Sequence, residues 1–244
     1  MVELKYPIQR RKSRVIKIGK VLIGGGFPIA IQSMTTADTR NVDETVKQIN
    51  QLYDAGCDIV RISVLNHDAG DQLKQIRQRV DKDRPLVADI HFQYKLALDA
   101  IDAGFTKIRI NPGNIGAEWK VREVTKAAKA ASVPIRIGVN SGSLPKDLLD
   151  KYGHDDPRAF AESAMREVRI LEDIDFQNIV ISVKSTNTQT AFWAYQMIAQ
   201  MCDYPLHVGI TEAGTLDTGS IKSSVGIGAI LMTGIGDTIR VSLA

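Results

Sequence analysis

Four times along the chain an arginine stands among β-branched residues: Val60-Arg61-Ile62, Ile108-Arg109-Ile110, Ile135-Arg136-Ile137 and Ile239-Arg240-Val241. A fifth branched run, Ile179-Val180-Ile181-Ser182-Val183, ends in Lys184. Side chains alternate across a strand, so where the branched neighbours pack under helices, each cation faces the other way. Several strands must therefore share an enclosed interior that is positively charged. A charge removed from water is costly unless something there compensates it.

The stretch Lys107-Ile108-Arg109-Ile110-Asn111-Pro112-Gly113-Asn114-Ile115-Gly116 carries this pattern most fully. Five alternating residues run into Pro, Gly and Asn, so a strand ends there and its last side chains open onto a loop. Arg109 and Asn111 share one face, Ile108 and Ile110 the other. Strand-like and helix-like segments alternate along the chain with a period of about 25–30 residues, as βα units do. Strands are expected over residues 28–34, 59–64, 86–90, 107–111, 135–139, 179–184, 206–210 and 238–243. Helices are expected over 43–54, 68–79, 94–103, 117–131, 157–173, 188–201 and 221–233. Asn41 or Asp43 can cap the first, and Gly104 closes the third.

Eight parallel strands with right-handed crossovers, covered on both faces, fit a closed (β/α)8 barrel of the TIM type. An open doubly wound sheet would call for a glycine-rich turn after its first strand, where Ser33-Met34-Thr35-Thr36 stands instead. Residues 1–27 read as an N-terminal arm and hairpin, and 28–244 as the barrel. In the arm, Arg10, Arg11, Lys12 and Arg14 suggest a solvated basic lead-in, followed by short strands at 15–18 and 21–23 and a turn at Gly24-Gly25-Gly26. The last expected element is strand eight with no eighth helix after it, so the natural chain is expected to continue.

With 244 residues, 44% of them hydrophobic and 24% charged, the chain suits one large α/β domain. A net charge of +3 is too small to argue for nucleic acid. No run of about 18 apolar residues is present for a membrane span, and the polar N-terminus lacks a signal-peptide core, so a cytoplasmic protein is expected. Cys57 and Cys202 precede strands two and seven and read as small packed residues. Two lone cysteines make neither a disulfide framework nor a zinc or iron-sulfur site.

In such barrels chemistry sits at the C-terminal ends of the strands. The inward residues there are Arg61, Asp89, His91, Arg109, Asn111, Arg136, Asn140, Lys184, His207, Arg240 and Ser242, with Glu212 in the loop after strand seven. An internal ion-pair network of the arginines with Asp89 and Glu212 is the plain alternative, but five cations face only two carboxylates, and uncompensated buried charge costs several kcal/mol. The missing anions are expected from a ligand, and the planar fork of arginine suits a diphosphate. His91, on the parity of Asp89, is placed for proton transfer or ligand positioning. His67 and His154, in polar loop surroundings, read as surface residues. A metal site from Asp89, His91, His207 and Glu212 is conceivable, although so many cations make a divalent ion electrostatically awkward.

Motifs spread through the chain resemble those of the 4-hydroxy-3-methylbut-2-enyl diphosphate synthase family of the non-mevalonate isoprenoid pathway. They are Pro7-Ile8-Gln9-Arg10-Arg11-Lys12-Ser13, Ile31-Gln32-Ser33-Met34-Thr35, Val87-Ala88-Asp89-Ile90-His91-Phe92, the 109–116 stretch above, Arg136-Ile137-Gly138-Val139-Asn140, Gly209-Ile210-Thr211-Glu212-Ala213-Gly214 and Gly236-Asp237-Thr238-Ile239-Arg240-Val241-Ser242. The resemblance implies a two-electron reductive ring opening and dehydration of 2-C-methyl-D-erythritol 2,4-cyclodiphosphate, with electrons from ferredoxin or flavodoxin passing through a [4Fe-4S] cluster in a homodimer. It further implies that Arg61, Arg109, Arg136, Lys184 and Arg240 hold the diphosphate, that Asn111, Asn140 and Ser242 add hydrogen bonds, and that Asp89, His91 and Glu212 line the reacting end.

In that family three cysteines and a glutamate of a C-terminal domain hold the cluster. Cys57 and Cys202 match none of those positions, so the cluster ligands are expected beyond residue 244, with no metal ligand here. Ser141 and Thr215 are minor departures from the motifs. The barrel alone is then expected to bind substrate without reducing it. The rival expectations are a pterin-binding barrel of the dihydropteroate synthase type, a phosphosugar aldolase using Lys184 as its Schiff-base amine, and a non-catalytic barrel that binds an anionic metabolite.

Overall fold

The computed structural model describes residues 7–243. An antiparallel hairpin comes first, β1 (Ile16–Ile18) and β2 (Val21–Ile23), turning at Gly19 with φ +56°. There follow β3 (Ala30–Met34), α1 (Val42–Asp54), β4 (Ile59–Val64), α2 (His67–Gly70), α3 (Leu73–Arg79), β5 (Leu86–Ile90), α4 (Tyr94–Asp102), β6 (Lys107–Ile110), α5 (Pro112–Ile115), α6 (Glu118–Ala130) and β7 (Ile135–Asn140). A 3-10 turn (Ser141–Ser143) leads to α7 (Lys146–Tyr152), α8 (Pro157–Glu172), β8 (Ile179–Lys184), α9 (Thr188–Met201), β9 (His207–Val208), α10 (Leu216–Leu231) and β10 (Thr238–Ile239).

The strands from β3 onward form one parallel sheet in the order β8-β7-β6-β5-β4-β3-β10-β9. A parallel bridge between Ile181 and Leu206 joins the two edges; there the Ile181 N–H donates to the Pro205 carbonyl at 3.0 Å. The sheet thus closes into the expected eight-stranded barrel. Ile62, Ile108, Ile110, Ile137 and Ile181 are fully buried in the main core with the helices, each side chain contributing about 1.5–3 kcal/mol. Asn41 caps α1 by accepting from the Glu44 N–H at 3.2 Å, and Asn187 caps α9 through the N–H groups of Gln189 and Thr190.

The hairpin closes the foot of the barrel. Ile16, Ile18 and Ile23 pack against Ala30, Ile59, Val87 and Val180, the inward residues at the starts of β3, β4, β5 and β8. The basic arm is not a solvated lead-in. Arg10 donates to the Gly236 carbonyl and to Asp237 (3.0 and 3.3 Å), Arg11 to the Cys202 carbonyl (2.7 Å), and Arg14 pairs with Asp203. Asp237 is buried and also accepts from the Leu206 N–H, so it needs the counter-charge that the arm brings.

Helix 68–79 is broken into α2 and α3, and Gly70 runs so close to α4 that a Cβ would lie 2.7 Å from Leu96. Helix α10 begins five residues before the expected start at 221, and within the added turn Gly219 packs where a Cβ would lie 2.6 Å from the Gly214 carbonyl. Strands seven and eight shorten to two residues each. Among the described residues no helix is long and apolar enough to cross a membrane.

Candidate functional site

Register builds the site. Asp89 on β5 lies beside Arg109 on β6, and Arg109 beside Arg136 on β7, so a carboxylate and two guanidinium groups form one row across three neighbouring strands. Asn140 and Lys184 pair two inward steps higher, on β7 and β8. These side chains, with Arg61, His91, Ser182, Thr211 and Arg240, line a cavity of about 140 Å³ at the C-terminal mouth. Arg61, Arg109, Arg136 and Lys184 are each less than 10% exposed, so water contributes little to their solvation.

Two glycines inside strand runs make the row possible. A Cβ at Gly138 would lie 2.6 Å from Arg109 Nε, and one at Gly209 would lie 2.7 Å from Lys184 Nζ. Glycine in a strand often marks such a close approach.

Asp89 accepts from Arg109 Nη1 at 3.1 Å and faces Arg61 Nε at 3.4 Å. Burial alone would raise its carboxyl, but Arg61 and Arg109, with His91 and Arg136 behind them, outweigh that and hold it well below the usual carboxylate range. It is ionised and paired with two guanidinium groups. Among the described residues Arg136 has no such partner: its Nε and Nη1 are buried without a hydrogen bond, and burial together with Arg61 and Arg109 pushes the group down. Arg109 Nε and Arg240 Nε are likewise buried without partners. Arg240 is pushed down to about 9, by burial first and Arg61 next. Its Nη1 reaches Met34 Sδ at 3.2 Å, and the same sulfur accepts from Arg61 Nη2 at 2.8 Å. Two cations thus converge on one neutral acceptor.

His91 stands at the mouth, 3.9 Å from Asp89. Burial lowers its pKa, Asp89 raises it in part, and Arg109 and Arg61 lower it further, so the ring is neutral at neutral pH with Nδ1 unpartnered. In that state it can take a proton.

Eight sequence-predicted residues meet in the cavity: Arg61, Asp89, His91, Arg109, Arg136, Asn140, Lys184 and Arg240. Three are placed elsewhere. Asn111 is fully buried but does not line the cavity, Glu212 is exposed in its loop at φ +47°, and Ser242 bonds Arg240 from a neighbouring hollow. That hollow, about 840 Å³, lies between the loops after β3 and β4 and the last residues, and is lined mainly by hydroxyl and apolar side chains, with Arg240 common to both. The smaller cavity is the candidate site because the unpaired cations face it. The conceivable metal set does not assemble: His207 lies lower, bound to Lys184 and Thr238, and among the described residues no three His, Cys, Asp or Glu side chains converge. Missed by the sequence reading were Met34, Gln32 and Lys107; Lys107 shares the inward parity of Arg109, which was the available signal.

The chain matches the family model described as the GcpE TIM-barrel domain over residues 13–244. It is 55% identical over 237 residues to a protein of Symbiobacterium thermophilum named 4-hydroxy-3-methylbut-2-en-1-yl diphosphate synthase (flavodoxin), covering 97% of this chain and 64% of that protein. It is 56% identical over 235 residues to a Brevibacillus brevis protein of the same name, covering 96% and 65%. The chain thus spans slightly less than two thirds of the length of these relatives. Among solved structures, dihydropteroate synthase of Thermus thermophilus superposes with a TM-score of 0.68 at 10% identity, over 94% of this chain and 93% of that one, a likeness of fold alone. By sequence over nearly its whole length, the chain belongs to the GcpE TIM-barrel domain family.

Proposed function

We propose that this chain is the substrate-binding barrel of a 4-hydroxy-3-methylbut-2-en-1-yl diphosphate synthase, holding 2-C-methyl-D-erythritol 2,4-cyclodiphosphate for two-electron reductive ring opening and dehydration. One observation carries this: five cations surround a small cavity whose one carboxylate among the described residues, Asp89, already pairs with Arg61 and Arg109, while other buried guanidinium N–H groups lack acceptors. A diphosphate supplies the oxygens those donors lack. The relatives' names give a diphosphate as the product, in keeping with a diphosphate held in this cavity.

In this assignment Arg61, Arg109, Arg136, Lys184 and Arg240 bind the two phosphates, and Asn140, Ser182 and Thr211 offer further hydrogen bonds from the cavity wall. Asn111 and Ser242 support them from just outside it. Asp89 remains an ionised acceptor that orients Arg61 and Arg109. His91 moves the proton at the reacting end, and Glu212 can join it only through its loop. Electrons come from flavodoxin, as the relatives' names indicate.

A [4Fe-4S] cluster would supply those electrons to the substrate when bound, but the described residues do not fit one. Cys57 and Cys202 lie at strand starts, away from the mouth; burial pushes both thiols up, and each donates to backbone carbonyls. We assign the cluster to the part of the relatives' length that this chain does not span, in an enzyme that works as a homodimer.

Calorimetric titration with the cyclodiphosphate tests this. Saturable binding is expected, lost in Arg136→Ala, with unfolding stabilised by about 2.7 kcal/mol at a hundredfold excess over Kd. A folded chain that binds neither the cyclodiphosphate nor inorganic diphosphate would overturn the assignment.

A further inference from the structure

The cation ring has a second layer beneath it. Lys107, two residues before Arg109 on β6, is fully buried, and its Nζ reaches across the lumen to Gln32 Oε1 at 3.0 Å. On β9, His207 is fully buried as well; its Nε2 lies 3.3 Å from Lys184 Nζ, and its Nδ1 is bound to the Thr238 hydroxyl. Every contact these three groups make is with a neutral acceptor or with one another. The charged groups facing them are Arg61 on β4, Arg109 on β6, Arg136 on β7 and Arg240 after β10, all positive. Asp89, the carboxylate of the cavity, is already taken by Arg61 and Arg109.

Guanidinium groups keep their protons, whereas amines and imidazoles give theirs up when buried among like charges. We propose that Lys184 in the wall of the anion site, with His207 and Lys107 beneath it, forms a proton store, partly neutral in the free protein and protonated when a diphosphate settles there. This rests on the anion-site assignment and adds that binding takes up protons. Burial, reinforced by the neighbouring cations, pushes both lysines and His207 well below their ordinary values, in line with that arrangement. Gln32 Oε1 can accept from either protonation state of Lys107, so charging the store requires no rearrangement of this pair. The incoming anion then meets a ring whose charge adjusts to its own.

The test is calorimetric titration of the chain with the cyclodiphosphate near neutral pH, in buffers of different ionisation enthalpy. Each phosphate of this ligand has only one strongly acidic proton, so the ligand does not titrate in that range, and sulfate serves as a second non-titrating probe. The apparent enthalpy is expected to vary linearly with buffer ionisation enthalpy, with a slope showing uptake on the order of one proton per ligand. Affinity is expected to weaken by up to about tenfold per pH unit for each proton taken up. Lys107→Met is expected to bind saturably with a smaller slope. Saturable binding with a buffer-independent enthalpy would overturn the proton store and leave the anion site standing. A slope unchanged in Lys107→Met, Lys184→Met and His207→Gln alike would overturn the assignment of the store to these residues. Absence of saturable binding with either probe in every buffer would overturn the anion site itself.

Discussion

The two ends of the barrel are built from the same strands and obey opposite rules. At the foot, Ile59, Val87 and Val180 face inward and meet the hairpin isoleucines Ile16, Ile18 and Ile23. Two residues further along, the same inward face carries Arg61, Asp89 and Ser182. That step is about 6.6 Å of strand. The foot is packed for stability. The head holds charges that folding alone would not place there, since the enclosed cations outnumber the carboxylate that could neutralise them.

The largest effect is expected where the head has its one internal compensation. Asp89→Asn leaves Arg61 and Arg109 without a counter-ion and should destabilise the fold by about 3–5 kcal/mol in denaturant unfolding. The pH dependence has a definite sign. The folded-state pKa of Asp89 is depressed, so its contribution is fully present above the unfolded value of about 3.9 and is lost only as pH falls towards the folded value, well below the usual range. At the foot, Ile18→Ala should cost about 2–4 kcal/mol through the cavity it leaves, with the ligand Kd unchanged. A foot variant that shifted Kd as much as stability would break the division between the two ends.

Much of this was legible in the chain. Strands β4, β5 and β8 and helix α9 fall at the expected residues, because branched runs and an Asn cap leave the backbone little choice. The cation ring was legible because arginine among branched residues has only one face left to occupy. What escaped depended on tertiary contact. The run containing Gly219 is a poor helix former, yet it is helical, and close packing there leaves room only for a glycine. The arm reads as solvated because the buried carboxylate of Asp237, which its arginines serve, lies more than two hundred residues away in sequence. Glu212 shares a motif with the site, but its loop leaves it exposed.

Smaller effects sharpen the contrast. Gly138→Ala should push the Arg109 guanidinium out of its row and weaken diphosphate binding by about tenfold, or 1.4 kcal/mol, with the ligand-free fold less affected.

The most direct test of the central claim, that the head's counter-charge is a ligand, is thermal unfolding of wild type and Arg136→Met with and without the cyclodiphosphate. Removing an unpaired buried cation should stabilise the ligand-free protein by about 1–3 kcal/mol and abolish the stabilisation that ligand gives to wild type. A variant less stable than wild type without ligand, yet stabilised by ligand to the same extent, would show that Arg136 is a structural group and contradict the account.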